Sequence, residues 1–336
     1  MRVFEIRDAF GLDRLVAAER PTPEPGPGQV LLEMKAASLN YRDVLTVAGK
    51  YNPRQPLPLI PCSDGVGVVA AVGDGVSRVR AGDRVATLFS QKWWGGRPEY
   101  DKIRSTLGGP LDGTLAEYMA LDENGVVKVP EHLSHVEAAT LPCAAVTAWS
   151  ALATQGDVGP GDTVLVQGTG GVSLFALQLA RILGARVIAT SSSDEKLERV
   201  RELGAWAVVN YVDEPEWGKK ARELTGGVGV DHVVEVGGGG TIAQSLKAIR
   251  IGGQISVIGN LAGGSTELSL IPILMQNVRL QGIIVGSREG FEAMSRAIAQ
   301  HELRPVVDRV FPFAETPEAF RYVAAGKHFG KVCIEI

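Results

Sequence analysis

The sequence has little cysteine, with only three residues, Cys62, Cys143 and Cys333, in a chain of 336. Cysteines so few and so widely spaced exclude a disulfide framework and a CxxC-type zinc knuckle. Residues 85 to 120 contain no cysteine at all. We therefore expect free thiols.

Long apolar runs and an excess of one charge are also missing. No apolar run approaches the roughly 20 residues that a membrane-spanning helix needs, and the chain begins with strand-like sequence instead of the apolar core of a signal peptide. The net charge of -4 gives no reason to expect nucleic acid or an anionic membrane as a partner. We expect a cytoplasmic protein with small-molecule partners.

The order of strand-like and helix-like segments predicts two domains, as the length also does. Short strand candidates, such as residues 29–36 and 65–72, separated by Gly, Pro and Asp turns, indicate a mostly antiparallel β domain up to about residue 125. From about 145 to 287, strands and helices alternate, which favours a doubly wound parallel sheet. The fold class is therefore α/β.

A glycine turn at residues 168–171 follows the strand-like run at 164–167 and precedes a helix-like segment at 174–183. Glycines there permit a tight turn, and the N-terminus of the following helix attracts phosphate. Ser173 stands where the dinucleotide fingerprint has its third glycine. The pattern predicts a dinucleotide pyrophosphate site with an imperfect motif.

The end of the next strand indicates which dinucleotide binds. In NAD-binding proteins an acidic side chain at this point bonds the ribose 2′-hydroxyl. Here the strand ends in Ser191 and Ser192, with Lys196 one turn further on, so a 2′-phosphate would meet hydroxyls and a cation. We expect NADP(H) in preference to NAD(H). The alternative for Ser192 is a helix-capping box with Glu195.

Several short motifs in a fixed order resemble those of the medium-chain dehydrogenase/reductase superfamily. They lie at residues 37–43, 49–51, 73–76, 82–85, 113–118 and 141–149. The resemblance covers essentially the whole chain. It implies a GroES-like, mostly β catalytic domain at residues 1–130, completed by residues 288–336, and a Rossmann cofactor domain at residues 131–287. It also implies a homodimer, with residues 268–278 as the contact region.

The resemblance also identifies the positions at which zinc-dependent members of the superfamily hold their catalytic zinc. The zinc-dependent members carry ligands at the positions of Asn40, Ser63 and Cys143, and only the last is a competent zinc ligand. The chain therefore resembles the zinc-free, quinone-oxidoreductase-like branch, and we expect no zinc. A residual metal held by Cys62, Asp64 and Cys143 is the alternative.

The resemblance implies which residues form the site. Around the reacting centre it places four catalytic candidates, Asn40, Arg42, Tyr51 and Asp64. Asn40 would orient substrate or nicotinamide and Tyr51 would donate to a carbonyl oxygen. Arg42 would pair with Asp64 or stabilise an enolate, or else form a structural ion pair with Asp43. The cofactor candidates are Thr147, Gly168, Thr169, Gly170, Gly171, Val172, Ser191, Ser192, Lys196, Tyr211, Val236, Ile258, Gly259, Asn260, Ile284, Val285, Gly286 and Lys331.

The chemistry that remains without zinc limits the substrate. Hydride transfer to an isolated ketone leaves an alkoxide that a metal normally stabilises. In a quinone or an α,β-unsaturated carbonyl the charge is delocalised, so a few fixed hydrogen-bond donors suffice. We expect NADPH-dependent reduction of such acceptors. The alternatives are an alcohol or aldehyde dehydrogenase of the same superfamily and an NADP(H)-binding protein without turnover.

Overall fold

The computed structural model describes all 336 residues and divides them into two compact units. The first unit consists of Met1–Val146 and Gly286–Ile336, and the second of Thr147–Val285. The chain thus passes from the first unit to the second after Val146, 16 residues after the expected domain boundary at residue 130 (146 − 130). The reason is that the helical segments His135–Ala139 and Leu141–Ala145 pack against strands of the first unit.

Fifteen strands and eleven α-helices make up the two units. The strands are β1 (Arg2–Ile6), β2 (Leu15–Glu19), β3 (Gln29–Leu39), β4 (Asp64–Val72), β5 (Arg84–Thr87), β6 (Tyr118–Asp122), β7 (Val126–Lys128), β8 (Thr163–Gln167), β9 (Arg186–Ser191), β10 (Ala207–Asn210), β11 (Val230–Glu235), β12 (Ile249–Val257), β13 (Arg279–Gly282), β14 (Val307–Pro312) and β15 (Lys331–Glu335). The helices are α1 (Tyr41–Val47), α2 (Tyr100–Ile103), α3 (His135–Ala139), α4 (Val146–Trp149), α5 (Gly171–Ile182), α6 (Asp194–Glu202), α7 (Trp217–Leu224), α8 (Ile242–Ala248), α9 (Ile271–Met275), α10 (Arg288–Gln300) and α11 (Thr316–Ala324). None of the helices is long and apolar enough to cross a bilayer.

The first unit is built on a seven-stranded sheet of order β14-β15-β3-β4-β5-β7, with β6 also paired to β3. All its pairs are antiparallel except β14 with β15. In the first half of β3, buried Val30, Leu32 and Met34 alternate with partly exposed residues, because successive side chains of a strand point to opposite faces. These three pack with Val69 and Val85 in one of the apolar clusters.

The second unit is a six-stranded parallel sheet of order β10-β9-β8-β11-β12-β13. The strand order reverses between β8 and β11. In open α/β sheets, ligands bind at the carboxyl ends of the strands beside such a reversal. Every residue of β8 is buried, as expected for a central parallel strand covered on both faces. The α/β fold class is confirmed.

One local prediction is wrong. Helix α6 begins after Ser193, whose Oγ accepts a hydrogen bond from the Lys196 N–H at 3.3 Å, so the capping residue is Ser193 and not Ser192. Strand β9 ends at Ser191, and Ser192 lies between the strand and the capping residue.

Candidate functional site

The glycine turn after β8 is open above its backbone. Gly168 has a φ of +69°, in the left-handed region that favours glycine, and its N–H donates to the Thr190 carbonyl at 2.8 Å. A Cβ on Gly168 or on Gly170 would meet no other atom within 4 Å. Helix α5 begins at Gly171, so its first N–H groups and its positive dipole end lie at the turn. These features fit a dinucleotide pyrophosphate.

Ser173 makes the imperfect motif workable. Its side chain is buried, and its Oγ donates to the Gln167 carbonyl at 2.6 Å. The hydroxyl thus satisfies the last carbonyl of β8 from the first turn of α5. A serine therefore replaces the third glycine without separating helix from strand.

The end of β9 gathers the residues expected at the 2′-phosphate. The Ser191 hydroxyl accepts from the Ser193 N–H at 3.3 Å, and the Ser191 carbonyl accepts from the Tyr211 N–H at 3.0 Å. Ser192 and Tyr211 are exposed, and Lys196 is half-buried in the first turn of α6. The nearest carboxylate in sequence, Asp194, accepts a hydrogen bond from the Asn210 amide at 2.8 Å.

The other expected cofactor residues lie mostly at the carboxyl ends of the central strands. Gly259 packs closely against Val236, because a Cβ on that glycine would lie 2.5 Å from the Val236 carbonyl oxygen. Ile258 donates its N–H to the Glu235 carbonyl at 2.9 Å. Asn260 is exposed.

The remaining cofactor candidates are more scattered. Thr147 is buried in α4, and Thr169 and Val172 flank the start of α5. Ile284 is half-exposed after β13. Val285 has a φ of +45°, an outlier for a β-branched residue that its surroundings must impose. Gly286 is the first residue of the returning segment of the first unit.

A carboxylate that the sequence did not single out lies beside the glycine turn. Glu235, the last residue of β11, is fully buried. Its Oε1 accepts from the Gly237 N–H at 2.9 Å, the Gly238 N–H at 3.0 Å and the Thr241 hydroxyl at 2.5 Å. Its Oε2 accepts from the Gln167 amide at 2.7 Å and from the Ser245 hydroxyl. The available signal was a Glu at the end of a strand that is followed, after Val236, by four glycines.

In the first unit, a buried lysine lies among the expected catalytic residues. Lys331 is only 3% exposed, and its Nζ donates to the Leu39 carbonyl at 2.7 Å and to Asn40 Oδ1 at 2.6 Å. The Asn40 amide nitrogen lies 3.4 Å from Ser63 Oγ and also hydrogen-bonds to the Asp64 carboxylate. Lys331 and Asp64 thus fix the orientation of the Asn40 amide from its two ends. The cofactor contact that the resemblance implies for Lys331 stays a prediction.

Asp64 completes this cluster. The carboxylate is fully buried, accepts from Ser63 Oγ at 2.7 Å and from the Cys143 N–H at 3.0 Å, and lies 4.0 Å from Lys331 Nζ. Burial raises the pKa of Asp64, and the Lys331 ammonium opposes that rise. The pair therefore combines a carboxylate with a cation that limits the cost of burying it.

Arg42 belongs to a neighbouring structural arrangement. Its guanidinium donates to the Leu107 carbonyl at 2.8 Å and the Gly109 carbonyl at 3.1 Å, and lies 3.7 Å from Asp43 Oδ1. Of the expected partners, Asp43 is thus the one it faces. Burial raises the pKa of Asp43 to about 6, against the opposing effect of Arg42. The ring of Tyr51, which is 55% exposed, lies 4.9 Å from the Arg42 guanidinium carbon.

The residues at the three zinc-ligand positions do not fit a zinc ion. Asn40 Oδ1 accepts from the Lys331 ammonium, and Ser63 Oγ donates to Asp64. Burial raises the pKa of the Cys143 thiol, which disfavours the thiolate that zinc needs. No group of three or more His, Cys, Asp or Glu side chains is arranged to hold a metal ion.

Two family models match the chain. One, described as the alcohol dehydrogenase GroES-like domain, covers residues 26–131. The other, described as a zinc-binding dehydrogenase, covers residues 171–300. Each lies mainly in one of the two units.

Three curated relatives match nearly the full length. A zinc-type alcohol dehydrogenase-like protein of Schizosaccharomyces pombe is 44% identical over 97% of this chain and 96% of its own. Quinone oxidoreductase-like protein 2 of Bos taurus is 30% identical over 97% of this chain and 90% of its own. The acryloyl-coenzyme A reductase of Metallosphaera sedula is 30% identical over 93% of both chains.

Solved structures agree over the whole chain. A Sinorhizobium meliloti protein has a TM-score of 0.94 at 43% identity and covers 100% of this chain and 98% of its own. An NAD-dependent alcohol dehydrogenase has a TM-score of 0.92 at 36% identity, with full coverage of both chains. A crotonyl-CoA carboxylase/reductase in complex with NADP has a TM-score of 0.88 at 27% identity, covering 100% of this chain and 94% of its own.

Proposed function

Because this chain belongs to the medium-chain dehydrogenase/reductase family, we propose that it is an NADP(H)-dependent oxidoreductase that reduces a quinone or an α,β-unsaturated carbonyl without catalytic zinc. Oxidoreductase activity is the property that the family membership carries. The observation that supports the zinc-free chemistry is that two of the three expected ligand positions are engaged by other groups, since Asn40 Oδ1 accepts from the Lys331 ammonium and Ser63 Oγ donates to Asp64.

The second unit supplies the nucleotide site in this proposal. The bound nicotinamide supplies a hydride. The turn at residues 168–171 and the N-terminus of α5 hold the pyrophosphate through backbone N–H groups. The 2′-phosphate binds to the hydroxyls of Ser191 and Ser192 and to Lys196, with Tyr211 beside them. Hydroxyls and a lysine favour the phosphorylated cofactor, because they offer donors and positive charge where an acidic residue would repel it.

The first unit supplies polar groups for the acceptor. The Asn40 amide, with its oxygen held by Lys331, can donate one of its two amide N–H groups to a substrate oxygen. The exposed Tyr51 phenol, beside the Arg42 guanidinium, can donate to the carbonyl oxygen as charge develops on it. Delocalisation in a quinone or an enone leaves less charge for these donors to stabilise than an isolated ketone would.

An alcohol or aldehyde dehydrogenase is the second candidate, because the chain is 44% identical to a protein whose name describes a zinc-type alcohol dehydrogenase. Cys143 also keeps the sulfur of one expected ligand position. The two candidates differ in metal dependence and in the acceptor used.

We also propose a homodimer. The short helix α9 and the residue before it expose Leu270, Ile271, Leu274 and Met275, each at least 67% exposed. Strand β13, which follows the helix, is the free edge of the six-stranded sheet. An apolar patch next to an unpaired strand edge is a surface that soluble monomers normally avoid. A second copy pairing at this edge would cover both.

The test follows NADPH absorbance against quinones, enones, enals and simple aldehydes, with NADH as the control nucleotide. We expect NADPH consumption with the conjugated acceptors. The variant Ser191→Asp should weaken NADPH binding at least tenfold and leave NADH binding within about threefold, because the new carboxylate repels only the 2′-phosphate. NADPH binding without consumption of any acceptor would favour a non-catalytic protein. Equal use of both nucleotides would contradict the NADP(H) assignment.

A further inference from the structure

Glu235 is a buried carboxylate with no cationic partner within the salt-bridge distance. It is fully buried, and five donors surround it, contributed by Gln167, Gly237, Gly238, Thr241 and Ser245. Burying a charge in this way is costly unless hydrogen bonds compensate it. A buried carboxylate that engages five donors, at the edge of the sheet where ligands bind, has a role beyond packing.

The carboxylate joins the ends of two strands on either side of the reversal in strand order. Gln167 is the last residue of β8 and directly precedes Gly168. Its amide donates to Glu235, and its own Oε1 accepts from the N–H groups of Val236 and Gly237, both at 3.3 Å. The backbone of Gln167 is held separately by Ser173. Gln167 is thus fixed from both sides immediately before the nucleotide turn.

The same carboxylate organises the glycine turn after β11. It accepts from the N–H groups of Gly237 and Gly238 and from Thr241, which leads into α8. Gly238 has a φ of +77°. This turn packs against the loop after β12, since a Cβ on Gly238 would lie 2.9 Å from both the Gly259 carbonyl oxygen and Asn260 Cα. Glu235 therefore also supports two of the expected cofactor residues.

The donor set accounts for the choice of glutamate. Both glycine N–H groups and the Gln167 amide can only donate, and an ionised carboxylate can only accept. A glutamine at position 235 would bring its own N–H₂ group against at least one of these donors. The shape of the side chain would be kept and the hydrogen-bond pattern would fail.

From this arrangement we propose that Glu235 is a positioning residue for the nucleotide site, which preorders the turns at residues 168–171 and 237–240 before NADPH binds. This inference rests on the proposed function, because it assumes that the turn at 168–171 holds the nucleotide pyrophosphate. When both turns are ordered in advance, NADPH binding does not have to bear the conformational entropy lost on ordering them. Glu235 itself need not touch the nucleotide.

The test exchanges the two side chains. Glu235→Gln should raise the Kd and KM for NADPH at least tenfold and leave kcat at saturating NADPH within about threefold of the parent. The double variant Glu235→Gln/Gln167→Glu moves the carboxylate to β8, where it can accept from the Val236 and Gly237 N–H groups and from the new glutamine. It should restore the Kd to within about threefold. Glu202→Gln, an exposed carboxylate on α6, is the matched control and should change nothing.

Thermal unfolding is measured first, so that each Kd is compared at a temperature where every variant is folded. If Glu235→Gln does not fold, Thr241→Ala replaces it, since it removes one donor and keeps the carboxylate, and it should weaken NADPH binding at least threefold. The proposal is overturned if folded Glu235→Gln, or Thr241→Ala in its place, binds NADPH like the parent. It is also overturned if the folded exchange variant binds as weakly as the single one. A parent that binds neither NADPH nor NADH would instead refute the proposed function.

Discussion

Replacing Lys331 by methionine tests the energetics of the cluster in the first unit. The change keeps most of the buried aliphatic chain and removes the ammonium, with its hydrogen bonds to the Leu39 carbonyl and Asn40 Oδ1 and its 4.0 Å pairing with Asp64. Removing one partner of a buried charge pair costs about 3–5 kcal/mol. Because Asp64 can take up a proton once the cation is gone, we expect about 3 kcal/mol at pH 8.

The loss of stability in Lys331→Met depends on pH through the pKa of Asp64. Burial raises the pKa of Asp64 in the folded state, and Lys331 lowers it, so the variant has the higher folded pKa. A carboxyl whose folded pKa lies above its unfolded value is destabilising once it ionises, and the variant meets that cost over a wider range of pH. The stability deficit of Lys331→Met should therefore be larger at pH 8 than at pH 5.

Urea unfolding at both pH values provides the measurement, with Lys327→Met, at an exposed lysine, as the control. The double variant Lys331→Met/Asp64→Asn should recover part of the loss, with a coupling energy of about 1–3 kcal/mol. A Lys331→Met deficit below about 1 kcal/mol at pH 8, or strict additivity of the two changes, would refute the reasoning.

Three further predictions address other parts of the chain. Gly168→Ala should lower the free energy of unfolding in urea by about 1–2 kcal/mol and weaken NADPH binding, because alanine disfavours a φ of +69°. The control Gly159→Ala, at a glycine without a positive φ, should do neither, and equal effects of the two variants would contradict the account. Burial lowers the pKa of His232 to about 4, so the protein loses about 3 kcal/mol of stability as the pH falls from 6.5 to 4. His232→Gln should flatten the plot of unfolding free energy against pH over this range, and parallel plots for parent and variant would show the idea to be wrong. Leu274→Glu should convert a dimer to monomers in sedimentation, and an unchanged mass would exclude α9 as the contact.

Patterns of period two and the alternation of strands with helices predicted much of the second unit. The strand-like run at residues 164–167 lies within β8, because turns and glycines limit that apolar run. The glycine turn was identified for the same reason. Ser173 could be recognised as a tolerable substitution, but the Gln167 carbonyl that it satisfies could not, because that contact depends on how helix and strand pack.

What the sequence could not predict are the partners of buried polar groups. Glu235 and Gln167 are 68 residues apart and meet only because β8 and β11 are neighbours in the sheet. Lys331 and Asn40, 291 residues apart, meet because β15 pairs with β3. The capping prediction at Ser192 failed for a local reason, since the helix begins one residue later than that cap implies. The contacts of Glu235 with Gln167 and of Lys331 with Asn40 depend on long-range strand pairing, which no local pattern encodes.

The most direct test of the zinc-free assignment measures metal content and NADPH-dependent activity on the same purified sample, before and after treatment with a strong chelator. We expect less than about 0.1 zinc per chain and an unchanged rate with a conjugated acceptor, because the set of Asn40, Ser63 and Cys143 lacks the ligands that zinc needs. About one zinc per chain, together with a loss of activity on chelation that added zinc restores, would contradict the account.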